Sequence, residues 1–155
     1  ETGEVLEIGR GRVLQEGHDV AILSFGAHLA EAREAVKDLE ARGVSVTLAD
    51  ARFAKPLDTA LIDDLMANHR ALITVEQGAM LGFGGLVLHH LAATAQLDGR
   101  CAVRTLHLPD RFIDQASPAE MYADAGLTSA DIAAAALQAM GIATIRDPHQ
   151  GKVSA

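Results

Sequence analysis

The chain has 155 residues, 49% of them hydrophobic, and a formal net charge of −8. That length suits one domain with a core on both faces of a sheet, and an acidic balance without a basic run argues against a nucleic-acid surface or an anionic membrane as partner. No apolar run approaches the ~20 residues that span a bilayer, and the single cysteine, Cys101, excludes an internal disulfide and suits a reducing, cytoplasmic setting.

Glu1-Thr-Gly-Glu4 has no basic stretch ahead of an apolar one, so no signal peptide is expected. A start without Met reads as a fragment boundary made by cloning or proteolysis. Residues 4–19 are polar and Gly-rich, and alternation in Gly11-Arg-Val-Leu14 predicts a short edge strand. Val20-Ala-Ile-Leu-Ser-Phe25, closed by Gly26, is a continuous apolar run of the kind buried on both faces of a parallel sheet. Leu29, Ala32, Val36 and Leu39 then recur at helical spacing over 27–42, and Gly43 ends that helix. Ser45-Val-Thr-Leu-Ala49 is the next strand. Pro56 stops the loop after it, and Asp58 caps a helix with Leu61, Ile62, Leu65 and Met66 on its inner face.

Ala71-Leu-Ile-Thr-Val75 predicts a further strand, ended by Glu76. Gly82, Gly84 and Gly85 open a helix reaching about Ala95 that is apolar nearly all round, which implies burial on nearly every side. Val103–Leu108 is the last core strand, ended by Pro109. Ser117-Pro-Ala-Glu120 carries the marks of a capping box with Pro at the first helical position. A final helix runs from near Ser129 to about Met140 and is ended by Gly141. Residues 143–155 are polar and aperiodic and are expected to be a flexible tail, leaving 1–142 as the domain. Four Phe, one Tyr and no Trp make the core aliphatic and Ala-rich. Strands alternating with helices predict a three-layer α/β fold, a mostly parallel sheet of about five strands with helices on both faces.

The motifs admit bland readings beside sharper ones. Gly82-Phe-Gly-Gly85 lies between strand and helix, where backbone N–H groups at Gly84 and Gly85 could hold an anion. Val87 stands where the dinucleotide fingerprint needs a third Gly, and no Lys-Ser or Lys-Thr follows, so neither a Rossmann fingerprint nor a P-loop is present. Close packing of helix on sheet is the plainer reading. Glu76 sits at the carboxyl end of a strand, where ligands of open α/β sheets gather, yet it reads first as a structural hydrogen-bonding carboxylate. Arg52, Lys55 and Asp58 surround a strand-to-helix crossing; they contact a neighbouring domain or second subunit, or form a local ion-pair network with Asp50. The seven His residues are scattered without zinc-helix spacing, so no metal site is expected. Neither Ser24 nor Ser117 lies in a nucleophile elbow, and Cys101 reads as a packing residue.

Three segments in order, Asp50-Ala-Arg-Phe-Ala-Lys-Pro-Leu-Asp58, Thr74-Val-Glu-Gln-Gly-Ala-Met-Leu-Gly-Phe-Gly-Gly85 and Leu108-Pro-Asp-Arg-Phe-Ile-Asp-Gln115, resemble the C-terminal domain of the transketolase-like thiamine diphosphate enzymes. The branch most similar is that of the 1-deoxy-D-xylulose-5-phosphate synthases, on Leu-Pro-Asp-x-Phe-Ile at 108–113, and the resemblance spans roughly 5–142. Ala116 stands where that family usually has Gly, so the turn there must avoid a glycine-only conformation. The resemblance implies a dimeric, cytoplasmic transferase that uses thiamine diphosphate and Mg²⁺ to join pyruvate and glyceraldehyde 3-phosphate. It places cofactor and catalytic residues in N-terminal and middle domains, so none is assigned to this chain, whose role would be structural and dimer-supporting. The competing readings are a regulatory module for a small anion and a docking domain of the kind found in 2-oxo-acid dehydrogenase β-subunits.

Overall fold

The computed structural model describes residues 3, 5–99 and 101–142; the tail expected at 143–155 lies outside the described residues. Five strands form one sheet in the order β1-β3-β2-β4-β5. They are β1 (Arg12–Gln15), β2 (Val20–Ser24), β3 (Val46–Asp50), β4 (Ala71–Ala79) and β5 (Ala102–Leu108). β1 runs antiparallel to β3 at one edge, and every other pairing is parallel. Central β2 is buried at all five positions, as its unbroken apolar run requires.

Strand alternation divides the core in two. Val20, Ile22, Val46, Leu48, Ile73 and Val75 face α1 (Leu29–Ala41) and α5 (Ser129–Ala139), which contribute Ala32, Val36, Leu39, Ile132, Ala136 and Leu137. Ala21, Leu23, Ala49 and Leu72 face the other way, onto α2 (Thr59–Asn68) and α3 (Phe83–Ala93), which bring Ile62, Leu65, Met66, Phe83, Val87 and Leu91. Each fully buried Leu or Ile among these contributes roughly 1.5–3 kcal/mol. The three-layer α/β fold read from the chain is therefore the fold observed.

Two elements depart from expectation. β4 does not stop at Glu76 but runs on to Ala79, where it pairs with Leu108 after an irregularity in register. α3 is not buried nearly all round. Phe83, Gly84, Val87 and Leu91 form its buried stripe, Leu86 and Leu88 are half-covered, and His89, Ala92 and Ala93 are exposed. A single sheet face covers only one stripe of a helix, and none of the described residues lies over the other side.

The caps explain where helices begin. Asp58 accepts from the Leu61 N–H at 3.1 Å to start α2. Ser117 and Glu120 form the expected capping box at α4 (Pro118–Ala125), a helix with no buried residue. A second box, Thr128 with Asp131, starts α5. Ala116 keeps an ordinary negative φ, so the turn there needs no glycine.

Candidate functional site

The loops following β3, β4 and β5 meet at the carboxyl end of the sheet, and the singled-out residues lie there. Glu76 is its centre. The side chain is 3% exposed, and its two oxygens accept from Phe83 N–H and Gly84 N–H, each at 2.8 Å. These are the first N–H groups of α3, free of intrahelical partners and at the positive end of the helix dipole. A buried carboxylate is costly unless it is hydrogen-bonded, and the helix start supplies that compensation.

The glycines make room for this arrangement. A Cβ on either Gly78 or Gly82 would run into the Glu76 Oε2. One on Gly84 would stand 2.9 Å from Thr74 Oγ1 and 3.0 Å from Thr105 Cγ2, so Gly84 lets α3 approach β4 and β5 closely. Gly85 meets nothing nearer than 3.6 Å, and no contact within the chain demands its lack of a side chain. Of the two candidate donors, Gly84 N–H is already engaged by Glu76, as is Phe83 N–H, whereas Gly85 N–H is not bonded to it. Close packing thus accounts for Gly84, and the chain's own carboxylate fills the place of an external anion.

Arg52, Lys55 and Asp58 are not one network. Asp58 turns inward: besides capping α2, its Oδ2 accepts from Gly11 N–H at 2.9 Å, and Arg10 lies 3.6 Å from Oδ1. Asp50 pairs with Arg12 at 3.1 Å and accepts from the backbone N–H of Arg52 at 3.1 Å. The Arg52 and Lys55 side chains make no ion pair among the described residues. Arg52 also holds φ at 56°, a left-handed conformation that non-glycine residues rarely adopt. Asp58 and Glu76 thus make bonds within the domain, while Arg52 is half-buried and Lys55 exposed.

Three apolar residues missed in the sequence lie at the same end. Met80 is 52% exposed, Leu81 85% and Phe112 101%. Leu81 has φ 69°, so an exposed leucine occupies a backbone position better suited to glycine. No composition signal marks it. On the α1 side, buried His28 donates its Nε2–H to the Leu127 carbonyl, 3.1 Å away, and meets Tyr122 edge-on at 4.7 Å; Tyr122 in turn accepts from Gln77 at 2.7 Å.

Both Glu76 oxygens are engaged at the α3 start, and Asn68, the sole Asn of the chain, donates to the Asp64 side chain at 2.8 Å and the Asp64 carbonyl at 3.0 Å. No group of three or more His, Cys, Asp or Glu among the described residues is placed to hold a metal ion. Burial pushes the Cys101 thiol up to about 11, away from nucleophile chemistry. No described helix is long and apolar enough to cross a membrane.

The profile of the family described as "Transketolase, C-terminal domain" matches residues 9–132. The chain belongs to that family. This transketolase C-terminal domain is 84% identical over 140 residues to 1-deoxy-D-xylulose-5-phosphate synthase 2 of Jannaschia sp. (strain CCS1), covering 90% of the chain and 22% of that relative. It is 65% identical over 139 residues to 1-deoxy-D-xylulose-5-phosphate synthase of Rhodobacter capsulatus, with the same two coverages. The domain thus spans about a fifth of the length of the curated relatives it matches. Among solved structures, a split-gene transketolase described as an inactive beta4 tetramer superposes with a TM-score of 0.80 at 32% identity, over 88% of this chain and 44% of that one. A transketolase mutant from Pichia stipitis, at 16% identity, shares the fold with a TM-score of 0.60 over 84% of this chain and 18% of its own.

Proposed function

We propose that this chain is the C-terminal domain of a 1-deoxy-D-xylulose-5-phosphate synthase, a cytoplasmic transketolase-type transferase. The whole enzyme joins pyruvate to glyceraldehyde 3-phosphate with loss of carbon dioxide and supplies precursors for isoprenoids, thiamine and pyridoxal. The domain's own part is structural: it supports the N-terminal and middle domains, which hold thiamine diphosphate and Mg²⁺, and it supports the homodimer. The observation that carries this reading is the 84% identity to such a synthase, over a stretch amounting to 22% of that relative. Glu76 adds support from geometry, because a carboxylate bonded to two backbone N–H groups is committed to the fold. Arg52, Lys55, Met80, Leu81 and Phe112 at the carboxyl end of the sheet supply the charge and apolar area of a domain-facing surface. The anion-module reading is disfavoured because Glu76 fills its site.

A chimera tests the proposal. The matching segment of the Jannaschia synthase 2 is replaced by this chain, and product formation from pyruvate and glyceraldehyde 3-phosphate is followed. Activity near the parent's is expected. A folded chimera without activity would overturn the reading. In a calorimeter, the 155-residue chain titrated with thiamine diphosphate and Mg²⁺ is expected to give no saturable heat; micromolar binding would show that the cofactor role had been misplaced.

A further inference from the structure

We propose that Asp98 is a site of covalent self-modification, its carboxyl closing on the Gly99 amide and reopening as isoaspartate in the turn between α3 and β5. The reaction requires an unengaged aspartate carboxyl, a following residue with no Cβ to shield its N–H, and a backbone that can leave its resting shape. Most described aspartates spend their carboxyl oxygens on a donor, as Asp19 does on Ser45 N–H and Asp64 on the Asn68 amide. Asp98, Asp110 and Asp114 are exposed and accept no hydrogen bond among the described residues. Of these only Asp98 is followed by glycine, and no other Asp-Gly pair occurs in the sequence.

The turn itself is weakly held. Beyond the end of α3, Ala95 takes a left-handed conformation, φ 56° and ψ 24°, which residues with a Cβ enter at a cost. One turn of 3₁₀ helix, Gln96–Asp98, follows. Such short pieces have poor hydrogen-bond geometry, and here Gly99 N–H reaches the Gln96 carbonyl at a long 3.3 Å. Breaking that bond frees the N–H that reacts. From Ala92 to Gly99 every residue except Gln96 is exposed, so water reaches the product ring. In the first step the Gly99 nitrogen bonds to the Asp98 Cγ, a carboxyl C–O bond breaks, and the oxygen leaves as water with the carboxyl and amide protons. Water then opens the ring. Attack at Cγ restores aspartate. Attack at the Asp98 main-chain carbonyl breaks its bond to Gly99 N, leaving Gly99 joined through Cγ and a free α-carboxylate. One water leaves and one returns, so no oxidant or co-reactant is needed and the mass is unchanged. The added main-chain methylene falls between two anchors, Gln96, which donates to Asp63 at 2.7 Å, and Ala102, which begins β5.

The test ages the folded 155-residue chain for weeks at neutral pH and body temperature, then digests it with trypsin. Cleavage after Arg70 and Arg100 gives a peptide in which Asp98 is the sole aspartate. It is expected to split into two chromatographic peaks of equal mass. The new peak should resist an Asp-directed endoprotease and take a methyl group from an isoaspartyl carboxyl methyltransferase. The folded rate should lie within about tenfold of that in urea, because a frayed turn sits at the low end of local opening energies. Gly99→Ala keeps an ordinary negative φ and places its Cβ 3.3 Å from the Gln96 carbonyl oxygen. It should slow the reaction by at least about tenfold, since a Cβ shields the attacking nitrogen and narrows its backbone. Asp98→Glu, whose longer side chain cannot close the same ring, should abolish the second peak. A single peak from the folded chain while the chain in urea gives two would overturn the proposal, because the turn would then protect the site. Equal conversion at Asp110 or Asp114, or an unchanged rate in Gly99→Ala, would overturn it as well.

Discussion

Glu76 shows how one side chain can set the start of a helix from outside it. Its carboxylate reaches from β4 to the first two N–H groups of α3, and Gly78 and Gly82 keep the space around Oε2 clear. Glu76→Ala should strand both donors and lower stability by about 1–3 kcal/mol, the usual penalty for a buried unsatisfied group, read as a lower urea midpoint. Gly82→Ala should destabilise in the same direction by displacing the carboxylate. Leu81 predicts the opposite sign. Its left-handed backbone, φ 69°, costs roughly 1–2 kcal/mol in any residue with a Cβ. Leu81→Gly should recover part of that and raise the midpoint of the isolated chain. At Cys101 burial lifts the thiol from an ordinary 9.0 to about 11, so near pH 8 the folded chain should react with iodoacetamide about a hundredfold more slowly than the unfolded chain, because only thiolate attacks.

Helices differ in how much of their footing the chain spells out. The capping signal at Ser117 was legible because Ser, Pro and Glu stand at fixed offsets, and the box forms as read, with Ser117 N–H to Glu120 at 3.0 Å and Glu120 N–H to Ser117 at a longer 3.4 Å. Since α4 buries nothing, Ser117→Ala should register as local fraying. A cap loss of about 0.5–2 kcal/mol should speed amide exchange in α4 by roughly 2–30-fold while leaving exchange of β2 unchanged. The positions of the core strands were equally legible, since each is an apolar run; their order in the sheet was not. What stayed hidden was set by partners distant in sequence. Hydropathy gave α3 an apolar face all round, but coverage depends on what lies above it. The overrun of β4 to Ala79 and the left-handed Leu81 depend on where α3 lands. Asp63 is another such case. Burial would raise its carboxyl, but hydrogen bonds from His90 at 2.6 Å and Gln96 at 2.7 Å hold it below the ordinary 3.8 and tie α2 to α3 and the turn after it. A carboxyl lowered in the folded state stabilises above its unfolded value, and that contribution fades as pH falls past 3.8 and through the folded value. Asp63→Asn should therefore flatten the acid limb of stability measured by denaturant melts across that range.

At the scale of the whole molecule, three large apolar side chains stand exposed at one end of the sheet. Met80, Leu81 and Phe112 project from the loops at the carboxyl end of β4 and β5. Exposed apolar clusters of this kind mark contact surfaces, so the isolated chain should self-associate in sedimentation as concentration rises, and Leu81→Glu with Phe112→Glu should return it to a monomer. A strict monomer at high concentration before any substitution would count against that surface. The opposite side of the sheet has a different consequence. Gly11 is held by Asp58, Arg10 lies beside the same carboxylate, and Arg12 grips Asp50. These ties sit where the chain first reaches the sheet, and β1 then runs from the carboxyl end of β3 back toward its start. Tension applied at residues 5–9 would therefore load the β1–β3 ladder lengthwise, as shear shared among its hydrogen bonds, instead of peeling them open one at a time. A pull from that side would be passed to the sheet as a rigid body, so the domain would move like a lever before it frayed.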